Sequence, residues 1–168
     1  FSNPEALLDM RVGPKTQGVT GADLLNVLRE DQLKEMFAKV LDIGSAKWLS
    51  QRVLERRSFS PVKTVGDLIE ISRGLRVKDR LNPATLPFLA LRIAVNSEYE
   101  NLKEALPKAF AQLKLGGKLL VITFHSGEEE VVKSFSRDFV GPIKPSEDEI
   151  KKNPRSRSAE LFTLTKTI

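Results

Sequence analysis

The chain has 168 residues, of which 40% are hydrophobic, so it is long enough for a buried core and ordinary in composition for a globular protein. It contains no cysteine and one histidine, which excludes disulfides, a thiolate nucleophile and cysteine metal sites, and we expect no metal site. The net charge of +5 favours an anionic partner such as RNA, although many basic proteins bind nothing acidic.

Targeting signals are not recognisable in the sequence. No apolar run approaches the ~20 residues that span a bilayer, and there is no signal peptide. These features, together with the absence of cysteine, predict a cytoplasmic protein without membrane contact. Because the chain opens on Phe1 rather than Met, we expect a processed or truncated start.

The first nineteen residues are predicted to be a loop, because glycine and proline interrupt them repeatedly. Helical spacing begins afterwards. Thr20 with Asp23, and Thr64 with Asp67, have the spacing of a capping box with a shortened acid. The predicted helices cover residues 20–44, where Gly44 ends the helix, then 46–57 and 64–72, and a basic loop follows at 74–82.

A long helix is predicted for residues 84–106, with Pro87 tolerated in its first turn and Pro107 interrupting or restarting it. The character of the chain then changes. Gly116 and Gly117 precede a short apolar run at residues 118–124, which is typical of a strand buried on both faces in a parallel sheet. The remaining predicted elements are a helix at 128–139, a polar loop at 140–158 and a final strand, expected to be antiparallel, at 161–167.

Four short strings, in one order along the chain, carry the most specific signal. They are Leu8-Asp9-Met10-Arg11, Pro83-Ala84-Thr85 leading into 90–98, Ile122-Thr123-Phe124-His125-Ser126, and Asn153-Pro154-Arg155-Ser156-Arg157-Ser158-Ala159. Together they resemble the MraW/RsmH family, whose members transfer a methyl group from S-adenosylmethionine to the exocyclic amine of a cytidine in small-subunit ribosomal RNA. The resemblance runs from Asp9 to Lys166, nearly the whole chain.

The resemblance implies an α/β fold, namely the closing half of a Rossmann-like methyltransferase sheet with an inserted all-helical domain. Residues 1–19 would be an active-site loop or linker of the catalytic domain. Residues 20–82 would be the inserted substrate-recognition domain, and residues 83–168 the C-terminal part of the Rossmann-like domain. It further implies S-adenosylmethionine as cofactor and ribosomal RNA of the small subunit as partner.

His125 and Ser126 are candidate catalytic residues, because in open α/β sheets chemistry collects at the carboxyl ends of strands. His125 is expected to hydrogen-bond the target base or to hold a neighbouring loop. An imidazole titrates near neutrality, so a general-base role is also open. Methyl transfer to an aryl amine depends mainly on alignment, so a strong base is not required. The alternative is a histidine that is simply packed or exposed.

The other site residues are assigned on the same resemblance. Asp9, Met10 and Arg11 are predicted to form a loop that clamps the donor or the cytidine, the alternative being an ordinary ion pair in a loop. Arg92 is predicted to bind phosphate, and Asn96 to bind a base edge or cap a loop; both otherwise lie on a solvated helix edge. Asn153, Arg155 and Arg157 are predicted to contact RNA phosphates, unless this basic loop is only solvated.

Two basic clusters support an RNA partner. Between residues 51 and 80 there are eight Lys or Arg against four Asp or Glu. Lys151, Lys152, Arg155 and Arg157 form the second cluster.

The sequence departs from the family pattern after Ser126, where Gly127-Glu128-Glu129-Glu130 stands in place of Leu-Glu-Asp-Arg. Leu86-Pro87-Phe88-Leu89 stands in place of Arg-Thr-Phe-Gln, and Gly13 replaces an acid. These changes bear on RNA affinity. The rival hypotheses are a non-catalytic RNA-binding protein derived from the family, and a helical interaction scaffold without RNA affinity.

The family's glycine-rich cofactor loop is not in this sequence. The string at residues 13–20 has the glycine spacing of a phosphate-binding loop, but Val19 stands where the lysine is needed. We therefore expect this chain alone to bind S-adenosylmethionine weakly or not at all. We also expect the gene upstream of Phe1 to encode roughly a hundred more residues, which would complete the sheet.

Overall fold

The computed structural model describes residues 3–77 and 81–167. The chain divides into two compact units, Phe1–Glu98 and Tyr99–Ile168. The described residues form a mixed α/β structure with eight α-helices and a three-stranded antiparallel sheet. Within the same residues, no helix has both the length and the apolar composition needed to cross a bilayer. The assignment of 20–82 as a substrate-recognition domain stays a prediction.

Five helices build the described part of the first unit. Both predicted capping boxes are confirmed: the Thr20 and Thr64 hydroxyls accept the backbone N–H of Asp23 and Asp67, each at 3.2 Å. These caps fix where the first and fourth helices begin. The helices are α1 (Gly21–Val27), α2 (Glu30–Ala38), α3 (Ile43–Phe59), α4 (Val65–Ile71) and α5 (Thr85–Asn96).

The single helix predicted for residues 20–44 is wrong, because the chain forms α1 and α2 with an extended Leu28 between them. Gly44 does not end a helix either. It lies in the first turn of α3, where the Asp42 carboxylate accepts the N–H of Ser45 at 3.0 Å. The cap at Asp42 therefore overrides the breaking tendency of the glycine.

The core of the first unit lies between α1, α2, α3 and α5. α2 packs against α3, and α5 packs against both α1 and α2. Leu8, from the predicted loop, is also fully buried there. Its backbone N–H donates to Lys63 O at 2.9 Å and its carbonyl accepts from Ala22 N at 2.8 Å. The loop that carries Asp9 to Arg11 is thus anchored in the core rather than free at the surface.

The long helix predicted for residues 84–106 is interrupted at Ser97, which has a left-handed φ of 49°. The break separates α5 from α6 (Glu98–Gln112). Pro107, expected to interrupt or restart the helix, lies inside α6, which continues past it. The chain therefore turns ten residues earlier than the proline indicated.

The second unit contains a small sheet with the strand order β1-β3-β2. The antiparallel final strand is confirmed, since it pairs with both other strands, and Val121 lies opposite Phe162. β1 and β2 consequently run in the same direction. The elements after α6 are β1 (Lys118–Thr123), α7 (Ser126–Phe135), β2 (Val140–Ile143), α8 (Glu147–Lys152), a 3-10 helix (Pro154–Ser158) and β3 (Glu160–Thr165).

The polar loop predicted for residues 140–158 is wrong, because it contains β2, α8 and the 3-10 helix. Pro142 is accommodated because β2 is an edge strand of the sheet. Ser146 caps α8, as its hydroxyl accepts the N–H of Glu149 at 3.2 Å. The predicted helix at 128–139 also shifts, since α7 ends at Phe135.

Among the described residues the sheet is buried on one face only, whereas the sequence predicts a β1 that is buried on both faces in a completed sheet. Phe162, 1% exposed, packs with Leu106 and Val132 from the helices. On the other face Leu120, Ile122 and Phe124 are 59%, 58% and 52% exposed. Among the described residues β1 pairs only with β3. The inner and outer faces of β1 are both apolar, so the sequence alone does not distinguish this alternating burial from a continuous apolar strand.

We expect Phe162→Ala to destabilise the second unit by about 3–5 kcal/mol, since it removes a fully buried ring. Phe124→Ala, the matched control on the open face, should cost less than about 1 kcal/mol. Urea unfolding of the two variants measures the difference. Equal losses would show that both faces of the sheet are covered.

Candidate functional site

Asp9 and Arg11 form a two-point ion pair. Arg11 Nε donates to Asp9 Oδ1 at 2.6 Å, and Nη2 donates to Oδ2 at 2.9 Å. Nη1 donates to the carbonyls of Gln17 at 2.7 Å and Pro14 at 3.2 Å. The paired guanidinium holds the pKa of Asp9 at about 2, below its ordinary 3.8, chiefly through the side-chain hydrogen bond. Arg11 thus fastens both ends of the loop at residues 9–17.

Met10, between the two charged residues, has a left-handed φ of 68°, which costs energy for a residue with a side chain. The fold holds it there from two sides. The Asn96 amide donates to Met10 O at 2.9 Å, and a Cβ added at Gly21 would lie 3.0 Å from Met10 Cγ. Gly21 therefore allows α1 to approach the loop closely.

The structure brings Asn96 to this loop. Asn96 is 9% exposed, and its Oδ1 accepts the N–H of Val12 at 2.9 Å. Arg92, one turn earlier on α5, donates to both carboxylate oxygens of Glu98 at 2.8 and 3.0 Å. These contacts correspond to the loop-capping alternative for Asn96, while phosphate binding by Arg92 stays a prediction.

His125 is the N-cap of α7. Its Nδ1 accepts the N–H of Glu128 at 3.4 Å, and the Glu128 carboxylate in turn accepts the N–H of Phe124 at 2.7 Å. A neutral ring that accepts at Nδ1 carries its proton on Nε2, so this imidazole is a hydrogen-bond donor. Nε2 is buried, and Glu128 Oε1 is 3.6 Å away. The Nδ1 lone pair, which a general base would need, is already used by the hydrogen bond that caps α7.

Gly127, one of the departures from the family pattern, has a steric reason. A Cβ at this position would collide with the hydroxyl of Tyr99, whose ring lies 5.8 Å from that of His125. Tyr99 thus occupies the space that a side chain at residue 127 would take. Of the acids in this segment, Glu129 is paired with Lys133 one turn along α7.

Asn153, Arg155 and Arg157 lie together around the 3-10 helix. Asn153 Oδ1 accepts the N–H of Arg155 at 3.3 Å, and the buried Ser156 donates its hydroxyl proton to Asn153 O at 2.8 Å. Both arginines are exposed. The turn is therefore fixed by Asn153 and Ser156 while it presents two guanidinium groups outward.

Two arginines of the first basic cluster make contacts within the fold. Arg56 donates to Asp67 at 2.7 Å and Ser60 O at 2.6 Å. Arg57 donates to Leu25 O and Leu28 O, both at 2.8 Å, and so closes the C-terminus of α1. Lys78 and Arg80 of this cluster lie outside the described residues.

Sequence reasoning missed Gln17, Tyr99 and the structural use of Glu128. The Glu128 role follows from the N-cap spacing after His125, which is a readable signal. No spacing rule singles out Gln17 or Tyr99, because their roles depend on residues distant in sequence. Gln17 Nε2 reaches Val95 O at 3.2 Å and Asn96 Oδ1 at 3.0 Å.

The sequence matches the MraW methylase family over residues 1–141. The chain belongs to the MraW methylase family. It is 41% identical to the ribosomal RNA small subunit methyltransferase H of Methylacidiphilum infernorum, and 39% identical to the protein of that name from Dictyoglomus thermophilum, over 96% of this chain in each case. The protein of that name from Rhodospirillum rubrum is 34% identical over 95% of the chain.

The chain spans 57–58% of the length of these MraW relatives. The cavity beside Asp9, Arg11 and Lys63 has a volume of about 210 Å³, below the roughly 300–1,000 Å³ of pockets that enclose small-molecule ligands. The Arg11 donors that face it are already used by Asp9 and the loop carbonyls.

The Asp9–Arg11 pair should make the first unit sensitive to acid. A lowered pKa in the folded state means that the pair stabilises the fold above about pH 4 and that this contribution disappears as the pH falls toward about 2. Asp9→Asn should therefore be less stable at neutral pH and lose less stability between about pH 4 and 2. Urea unfolding across this range measures it, with Glu35→Gln on the exposed face of α2 as control. Identical pH profiles for Asp9→Asn and the unsubstituted chain would contradict the pairing.

Proposed function

We propose that this chain takes part in methylating the exocyclic amine (N4) of a cytidine in small-subunit ribosomal RNA, with S-adenosylmethionine as methyl donor. The observation that carries the proposal is its similarity, over 95–96% of the chain, to relatives named ribosomal RNA small subunit methyltransferase H. The proposed substrate places the reaction in the cytoplasm.

We further propose that the sheet is the closing half of a Rossmann-like methyltransferase sheet. β1, α7 and β2 form a strand-helix-strand unit whose two strands run in the same direction, which is the basic unit of such sheets. His125 and Ser126 follow the carboxyl end of β1, the side on which open α/β sheets bind ligands.

The role that the geometry supports for His125 is to hold the start of α7. Its Nδ1 caps the helix, and its Nε2 is buried 3.6 Å from Glu128 Oε1, so neither ring nitrogen is open to a substrate. Methyl transfer to an amine depends on alignment of the reacting atoms. A helix start held by the His125 cap and packed beside Tyr99 provides a fixed point for such alignment.

Arg155 and Arg157 are the proposed phosphate contacts. Guanidinium groups bind phosphate at two points, and both of these are exposed on a turn fixed from within by Asn153 and Ser156. A cytidine inside structured RNA must be unstacked before its amine is reachable. Contacts to the flanking backbone supply part of that energy.

The experiment is a methyl-transfer assay. The intact gene product is incubated with small ribosomal subunits and methyl-labelled S-adenosylmethionine, and the RNA is digested and analysed by nucleoside mass spectrometry. We expect label in N4-methylcytidine, with the relative from Methylacidiphilum infernorum as positive control. Labelling by the relative but not by this protein would reject catalysis.

A non-catalytic RNA-binding protein is the second candidate, and the acids at the start of α7 favour it. Glu128 and Glu129 are used within the fold, but Glu130 is exposed and adds negative charge near the candidate site. This candidate predicts no label in that assay, together with RNA binding in a filter-binding measurement. A helical interaction scaffold predicts neither RNA binding nor methyl label.

The two arginines of the basic turn should set part of the salt dependence of RNA binding. Each phosphate contact contributes a slope of about −0.7 to −0.9 to log affinity against log salt. The Arg155→Ala, Arg157→Ala double variant should therefore reduce the slope by about 1 to 2, whereas the exposed Arg137→Ala should leave it unchanged. Filter binding of small-subunit RNA at several salt concentrations decides this, and equal slopes for all three proteins would remove the basic turn from the interface.

A further inference from the structure

We propose that Asn96 is a positioning residue, which holds the Asp9–Arg11 loop in one conformation through its side-chain amide. The proposal rests on the proposed function for one point only, the assignment of this loop to the active site. In this role Asn96 acts on the loop and does not contact RNA itself.

The hydrogen-bonding capacity of the Asn96 amide is fully used inside the first unit. An asparagine side chain offers two N–H donors and two acceptor positions. Nδ2 donates to Met10 O at 2.9 Å and to Arg92 O at 2.8 Å. Oδ1 accepts from Val12 N at 2.9 Å and from Gln17 Nε2 at 3.0 Å. A base edge could bind only by displacing one of these partners.

These bonds bracket the strained residue of the loop. Asn96 binds the carbonyl of Met10, whose φ is 68°, and the N–H of Val12 two residues later. Arg11 lies between the two anchored groups. Backbone strain of this kind persists only where the surroundings over-determine the conformation. Asn96 therefore fixes the direction in which the backbone carries Arg11 toward Asp9.

Gln17 extends the same network from the other end of the loop. Its Oε1 accepts the N–H of Gly13 at 2.7 Å, and its Nε2 donates to Asn96 Oδ1 and to Val95 O. The C-terminal end of α5 thus holds three backbone positions of the loop through two amide side chains. The buried Asn96 contacts Met10, Val12 and Gln17 directly, and Gly13 joins the network through Gln17.

The chain provides a matched control in Asn26. This residue also uses its amide to join distant segments, since Nδ2 donates to Ala22 O and Val62 O at 2.9 and 2.7 Å and Oδ1 accepts from Val62 N at 3.0 Å. It lies in the same unit but makes none of these contacts to residues 9–17. Asn26→Ala removes a comparable set of hydrogen bonds without touching the loop network.

The test uses the chain's two methionines, Met10 in the loop and Met36 in the core of α2. In methyl-labelled protein without RNA or donor, Asn96→Ala should shift the Met10 signal and leave Met36 in place. The Val12 amide should exchange with solvent about tenfold faster. Asn26→Ala should instead affect the Val62 amide. Unchanged Met10 and Val12 signals in Asn96→Ala would overturn the proposal.

Asn96→Asp separates the two sides of the amide. It keeps acceptors for Val12 and Gln17 but loses the donors to Met10 O and Arg92 O. We expect Val12 to keep more protection than in Asn96→Ala while Met10 still shifts. In the intact gene product, both variants should lower kcat about tenfold or more with KM for RNA within about twofold. A raised KM with unchanged loop signals would make Asn96 an RNA contact.

The loop measurements do not depend on catalysis. Absence of methyl transfer in the unsubstituted protein would reject the proposed function and leave the Met10 result standing as a test of the loop network.

Discussion

The interaction on which the candidate site depends is the two-point contact between Arg11 and Asp9, extended by Arg11 to the carbonyls of Pro14 and Gln17. It closes a stretch without regular structure into a loop of one shape. The guanidinium of Arg11 holds the pKa of Asp9 at about 2, chiefly through its hydrogen bond to the carboxylate, so the pair is charged throughout the physiological range. The loop is then fixed on the core by Leu8 on one side and Asn96 on the other.

A second constraint acts at the start of α7 in the other unit. The His125 imidazole accepts the N–H of Glu128, and the Glu128 carboxylate accepts the N–H of Phe124. Tyr99 fills the space over Gly127. Residues that the family resemblance marks as catalytic thus also determine where the helix begins. In both units the polar side chains at the candidate sites are engaged by backbone groups, so their geometry exists before any substrate arrives.

The sequence predicts those features of the fold that depend on residues close to one another in the chain. The caps at Thr20 and Thr64 were readable, as were the strand at 161–167 and its antiparallel pairing. The break at Ser97 was not, because serine has no intrinsic preference for a left-handed φ. The exposure of the outer face of β1 was not predictable either, because Leu120 and Ile122 are apolar although they are exposed. Motif order indicated Asp9, Arg11 and His125, whereas the partnership of Asn96 with Met10 and Val12 joins residues 84 or more positions apart and has no sequence signal.

We propose that this chain carries the active-site loop of a ribosomal RNA methyltransferase. The most direct measurement is the N4-methylcytidine content of small-subunit RNA from cells whose own copy of the gene has been deleted. Reintroducing the unsubstituted gene should restore the modification, and reintroducing Arg11→Ala, produced at the same level, should not. Modification that persists after deletion, or that Arg11→Ala restores in full, would contradict the account.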